Sequence, residues 1–278
     1  MRVVLPRLAN NGVAGRLDEL LARTRTLAID LSPDLVVYPE LAVTGYPALA
    51  DPKADEAALI AIAEPVPGPT TEAFAELAQR ATCAVVYGLC ESDGNRRYNT
   101  VIWSDPDGSV TAYRKIHLTE GERRHFTAGE IAVVAPGSVF GKVGLSSCYD
   151  KAFPQVYQRQ RERGARLSVI ASAWASHAGT PGFSGDVWAD QSELFDRARA
   201  AETGMVVVST NYEGPRAPGS QASFCGGRRV VDGLGRTVPP NLTTEAALVW
   251  DVDLDAAGRA VVELHGDDFF ERDRRPVG

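Results

Sequence analysis

Cysteine is scarce in this chain of 278 residues, and its spacing is uninformative for cross-linking. Cys83, Cys90, Cys148 and Cys225 stand far apart, with no C-x-x-C pair. That argues against a disulfide framework and leaves a structural zinc site without its usual ligand spacing. A basic stripe is also missing. The 36 acidic residues outnumber 29 basic ones, and the net charge of −7 argues against nucleic acid or an anionic membrane as the main partner. No apolar run approaches membrane-spanning length. The opening M-R-V-V-L-P-R-L-A-N-N has no continuous apolar core of a signal peptide. A cytoplasmic location with reduced thiols is therefore expected. With no low-complexity linker and no short-period repeat, a single domain over 1–278 is the expectation, and that length supports a substantial core.

What the chain does contain is alternation of strand and helix patterns. Residues 2–5 read as a short buried strand, and 13–31 as a helix with Leu17, Leu20, Leu21, Leu27 and Leu31 on one face. D-L-V-V-Y at 34–38 is a second strand. A loop at 64–70 precedes a helix with Phe74, Leu77, Ala78 and Ala81 inward, and then a strand at 83–89. The runs 98–104 and 110–115 flank D-P-D-G, which has the turn chemistry of a hairpin. Further strands are expected near 131–134, 142–147, 167–172 and 205–210, with helices at 154–163 and 187–203. Residues 222–253 read as more β-structure, and the last dozen as a charged tail. The result is an α/β chain carrying some antiparallel sheet.

Ligand sites in open α/β sheets collect beyond the carboxyl ends of strands. Three reactive side chains fall there: Glu40 after L-V-V-Y-P, Lys115 at the end of the second hairpin strand, and Cys148 at the end of K-V-G-L-S-S. Each has an ordinary explanation, since a free cysteine is usually a small buried hydrophobe and a strand-end charge is usually solvated. Together they would form a nucleophile, a base and a cation for a developing oxyanion. Spacing alone does not show that they converge.

The residues around them resemble the nitrilase superfamily of carbon–nitrogen hydrolases over nearly the whole length. The resemblance rests on P-E-L-A-V-T-G-Y-P (39–47), Y-R-K-I-H-L (113–118) and G-L-S-S-C-Y-D-K-A-F-P (144–154), in that order. Support comes from N-T at 99–100, F-T-A-G-E at 126–130, A-E-T-G-M-V-V-V-S-T-N at 201–211 and D-R-R-P at 273–276. It implies a four-layer α-β-β-α sandwich, paired into a homodimer or higher homo-oligomer, and a Glu40–Lys115–Cys148 triad needing no metal or organic cofactor. It further implies a second glutamate at Glu122, with Glu120 the competing position, and an oxyanion donor at the backbone N–H of Tyr149. Gln155 stands where a glutamate is usual, and Ser146-Ser147 replaces a more apolar run.

Tyrosine after the cysteine looks more like the amidase branches than true nitrilases, so a small amide or carbamoyl substrate is expected. Trp174 and Tyr46 are candidate pocket walls or plain core residues, and His177, beside the glycine-rich stretch 179–185, is a candidate entrance residue or a solvated one. Three rivals remain open: a papain-like enzyme, although none of the four histidines sits in such a signature; a true nitrilase; and a catalytically silent assembly subunit.

Overall fold

The computed structural model describes residues 1–47, 52–178, 184–267 and 269–273. Most of the glycine-rich stretch 179–185 and of the D-R-R-P segment falls outside the described residues. From the N-terminus the order is β1 (Arg2–Pro6), α1 (Leu17–Leu31), β2 (Leu35–Val37), α2 (Pro52–Ile62), α3 (Pro69–Ala81), β3 (Ala84–Asp93), β4 (Arg96–Ser104) and β5 (Val110–Arg114). Next come β6 (Val133–Ala135), β7 (Val143–Ser147), α4 (Pro154–Glu162), β8 (Leu167–Ala171), α5 (Val187–Thr203) and β9 (Val206–Thr210). The chain closes with β10 (Glu213–Pro215), β11 (Ser223–Cys225), β12 (Arg229–Val231), β13 (Thr237–Val238), β14 (Leu242–Thr243), β15 (Ala247–Asp251), α6 (Leu254–His265) and α7 (Phe269–Asp273).

Two large sheets result. One has seven strands in the order β14-β15-β1-β2-β3-β4-β5, and the other has six in the order β13-β12-β9-β8-β7-β6. Each has a parallel centre, β1-β2-β3 in one and β7-β8-β9 in the other, flanked by antiparallel strands. Period-two alternation explains why they stack. Val3, Leu5, Leu35, Val37 and Trp103 point from the first sheet into a core shared with Leu145, Leu167, Val169 and Val208 of the second. The intervening residues Val4, Val36 and Val85 pack outward under α1 and α3, with Leu20, Leu27 and Phe74. On the other side Ile170 and Val207 pack with Val156 and Tyr157 of α4 and Ala200 of α5. The order helix, sheet, sheet, helix is the expected four-layer sandwich.

Several boundaries differ from the sequence reading. The first helix begins at Leu17 rather than Val13, because the preceding residues bond to the loop after β2: Ala14 N–H to the Thr44 carbonyl at 3.1 Å and Arg16 N–H to that of Val43 at 2.7 Å. The strand expected at 131–134 runs from Val133 to Ala135. Helices α2 and α6 were not foreseen, and the expected charged tail contains α7. In α2 the stretch A-A-L-I-A-I has nearly continuous apolar character with little helical period, and α6 carries Gly258 in mid-helix, both of which blur the pattern.

Candidate active site

The site gathers where strand ends of both sheets meet. β2 stops at Val37, and Pro39 turns the chain so that Glu40 sits fully buried between the sheets. Its backbone N–H reaches the Ser172 carbonyl at 3.4 Å, and its carbonyl accepts from the Tyr212 hydroxyl at 3.0 Å. The turn continues through Leu41 at φ 51°, pressed against β3 at Gly88. A Cβ at Gly88 would lie 2.3 Å from the Leu41 nitrogen, so only glycine permits this approach.

Lys115 follows β5 directly, and its N–H bonds to the Asn99 carbonyl of β4 at 2.8 Å. Its buried ammonium lies 2.6 Å from Glu40 Oε1 and 2.7 and 2.9 Å from the two oxygens of Glu122. Glu122 opens a short 3-10 turn and is buried, held by Thr119 N–H at 2.8 Å and by the Tyr46 hydroxyl at 3.1 Å. Glu120 is exposed instead. Tyr46 is thus both a cavity wall and a donor to Glu122.

Cys148 directly follows β7 with φ at 42°, in the left-handed region that an L-residue enters at a cost of about 1 kcal/mol. The 3-10 turn Cys148–Ala152 fixes that bend. Its Asp150 carboxylate accepts from Ser147 N–H at 3.0 Å, from the Tyr113 hydroxyl at 2.7 Å and from His117 N–H at 2.9 Å. Tyr113 belongs to β5, so the loop bearing the sulfur is tied across to the other sheet.

The hydrogen bonds on Glu40 are lopsided. Oε1 accepts from Lys115 at 2.6 Å, from Asn99 Nδ2 at 2.7 Å and from Ser147 Oγ at 3.1 Å. Oε2 is buried with no hydrogen-bond partner among the described residues. Three donors fix the carboxylate and leave one oxygen free to take a proton. Burial pushes the Glu40 carboxyl up, Lys115 draws it down and Glu122 pushes it up again, to about 7. For Glu122 burial acts the same way, but the Lys115 charge and hydrogen bond outweigh it and leave it below the usual carboxylate range. Burial alone would lower Lys115, but its two carboxylates hold it well above the usual value. The Cys148 thiol is pushed well up, first by burial and then by the negative charge of Glu40. A thiol of this kind does not ionise unaided, so it needs a base alongside.

Cys148 opens on a cavity of about 450 Å³ that is also lined by Tyr46, Tyr149, Trp174, Phe195 and Arg216. Trp174 is a wall of this cavity, with ring centroids 6.4 Å from Tyr149 and 6.1 Å from Phe195. Behind it the buried Lys151 ammonium lies 5.5 Å from the indole and 2.8 Å from Asp196, which also pairs with Arg229 at 2.6 Å. His177 does not line the cavity; its ring lies 4.8 Å from that of Trp188, which does. Gln155 is exposed on the first turn of α4. Among the described residues no group of three His, Cys, Asp or Glu side chains is arranged to hold a metal ion.

Asn99, Ser147 and Arg216 had gone unmarked as site residues. An asparagine inside the apolar strand Y-N-T-V-I-W was a readable signal, because a buried amide needs partners. Arg216, in a Gly/Pro-rich loop, offered none.

A buried glutamate–lysine–glutamate group beside a cysteine, at the strand ends of an α-β-β-α sandwich, defines a class of hydrolases acting on carbon–nitrogen bonds. The chain belongs to that class: the carbon-nitrogen hydrolase family profile matches residues 9–260. It is 29% identical over 258 residues to an (R)-stereoselective amidase of a Pseudomonas species, covering 92% of this chain and 86% of that one. It is 31% identical over 204 residues to omega-amidase NIT2 of Mus musculus, covering 69% of each chain. Its fold matches the crystal structure of XC1258 from Xanthomonas campestris, a CN-hydrolase superfamily protein with an arsenic adduct in its active site. That match has a TM-score of 0.80 at 22% identity and covers 100% of this chain and 99% of that one.

Proposed function

We propose that this chain is an amidase that hydrolyses a small amide through a thioester on Cys148. The observation carrying the proposal is the unpartnered Oε2 of Glu40, on a carboxylate clamped through its other oxygen and buried beside the thiol. Glu40 takes the thiol proton as sulfur attacks the amide carbon, forming the C–S bond. Lys115 and the N–H of Tyr149 stabilise the oxyanion, each such donor being worth about 3 kcal/mol of barrier. The C–N bond breaks as Glu40 returns the proton to the leaving nitrogen. Water then attacks the thioester, losing a proton to Glu40, and the acid departs as the proton returns to sulfur. Glu122 keeps Lys115 charged and in place.

Amides are preferred over nitriles on the strength of the two amidase relatives and of Tyr149 next to the nucleophile. The same proposal has the chain acting as a homo-oligomer in the cytosol. The test is turnover of matched amide and nitrile pairs, read as ammonia released, with the acyl-enzyme sought by intact mass. Cys148→Ala and Glu40→Gln are expected to abolish turnover while leaving the fold intact. Turnover of nitriles alone would replace the reading with a nitrilase, and an active Cys148→Ala would overturn the mechanism.

A further inference from the structure

Among the described residues lining the cavity, Arg216 is the one that carries a full charge at neutral pH. It follows β10 and is held by the β10–β11 hairpin, its N–H bonding to the Ala222 carbonyl at 2.8 Å. The buried amide of Asn10 fixes its place relative to the site. Nδ2 donates to the Arg216 carbonyl at 2.6 Å and to the Tyr46 carbonyl at 2.8 Å, while Oδ1 accepts from Tyr46 N–H at 2.9 Å. The guanidinium carbon sits 5.9 Å from the ring of Phe224, which meets Tyr46 edge-on at 6.0 Å. Tyr46 in turn holds Glu122, so this arginine is linked to the reacting centre through Asn10 and Tyr46.

Two other arginines of the same part of the chain are neutralised and Arg216 is not. Arg228 pairs with Glu213 at 2.6 Å and Arg229 with Asp196 at 2.6 Å. Arg216 has no ion-pair partner among the described residues, and its Nε is buried without a hydrogen-bond acceptor. A half-buried guanidinium in a mostly apolar cavity, lacking a counter-charge, is a site for a planar anion, and carboxylate fits its fork. We propose that Arg216 recognises a carboxylate on the substrate, so that the chain prefers amides that carry one. This rests on the amidase reading above. The carboxylate is either at the far end of the acyl half, as in a monoamide of a short dicarboxylic acid, or on the amine half, as in an N-acyl amino acid.

Two matched pairs separate these sources: succinamate against butyramide, and N-acetylglycine against N-propylacetamide. The wild type is expected to favour the charged member of one pair by about 10- to 100-fold in kcat/KM, the range of a charge-assisted hydrogen bond, with the difference in KM. Arg216→Gln should bring that preference to about threefold or less, and Arg216→Lys should retain part of it. Equal handling of both members of both pairs, or a preference untouched by Arg216→Gln, would overturn the proposal. Calorimetry on Cys148→Ala separates this from failure of the amidase reading. Binding of succinamate or N-acetylglycine that disappears with Arg216→Gln supports recognition even where no amide is turned over. Absence of any charge preference in binding refutes recognition even where amides are hydrolysed.

Discussion

Replacing Lys115 with methionine removes the one ammonium that two buried carboxylates share. With both carboxylates ionised, Glu40, Glu122 and Lys115 of the wild type sum to a single negative charge, with every N···O contact between 2.6 and 2.9 Å. Without the lysine, two like charges remain that both reach Asn99 Nδ2, at 2.7 and 3.4 Å, in a region with no solvent exposure. Breaking a buried pair in this way costs about 3–5 kcal/mol, limited by protonation of one carboxylate. The pH dependence has a definite sign. A carboxyl raised above its unfolded value binds its proton more readily in the folded state, so stability is lost as pH rises past the ordinary carboxylate range. Lys115→Met should therefore lose more stability at pH 8 than at pH 5.5 in urea titrations followed by circular dichroism. Adding Glu122→Gln removes the second charge, and the double variant should recover at least about 1 kcal/mol relative to additive single losses, without regaining turnover. A Lys115→Met protein as stable as the wild type at pH 8, or strictly additive losses, would refute the idea that this lysine neutralises a buried carboxylate pair.

Three further outcomes follow from the same geometry. With Glu40 held near 7, kcat/KM should fall about tenfold per pH unit below that value, because the protonated acid cannot accept the thiol proton. Ser147→Ala, which removes a donor to Oε1, should move this limb towards higher pH, and a flat profile between pH 5 and 8 would contradict the assigned base. At position 148 the left-handed backbone favours glycine: Cys148→Gly should be inactive yet at least as stable as Cys148→Ala by thermal melting. There, relief of about 1 kcal/mol of strain offsets the freedom glycine gains when unfolded.

The strands and helices, and the placing of three reactive side chains at strand ends, were legible because each relies on short-range pattern, whereas the four-layer stacking and the meeting of those side chains came only from the family resemblance. Buried strands such as V-V-L and L-V-V announce themselves by composition, and Glu40, Lys115 and Cys148 sit just past such strands. Trp174 was not resolvable between wall and core, since hydrophobicity is the same for a ring facing a cavity and one facing a neighbour. Arg216 was unreadable for a different reason. Its place depends on Asn10 and Tyr46, which are distant in sequence, and on a two-stranded hairpin whose glycines and proline mark a turn without saying what it covers. Glu122 rather than Glu120 was indicated by resemblance, and the physical distinction, burial against exposure, comes only from the turn at Thr119.

Glu40 and Lys115 hang from the seven-stranded sheet and Cys148 from the six-stranded one, so in the proposed mechanism the proton exchanged between sulfur and carboxylate crosses the seam between them. Turnover is therefore a gauge of how the two halves of the sandwich are aligned. A slip of about 1 Å along that seam, too small to disturb either sheet's hydrogen bonding, is enough to cost about two decades of rate. Damage away from the catalytic residues, at Trp103 in the core shared by the two sheets for instance, would first appear as a slow enzyme whose spectrum still looks native.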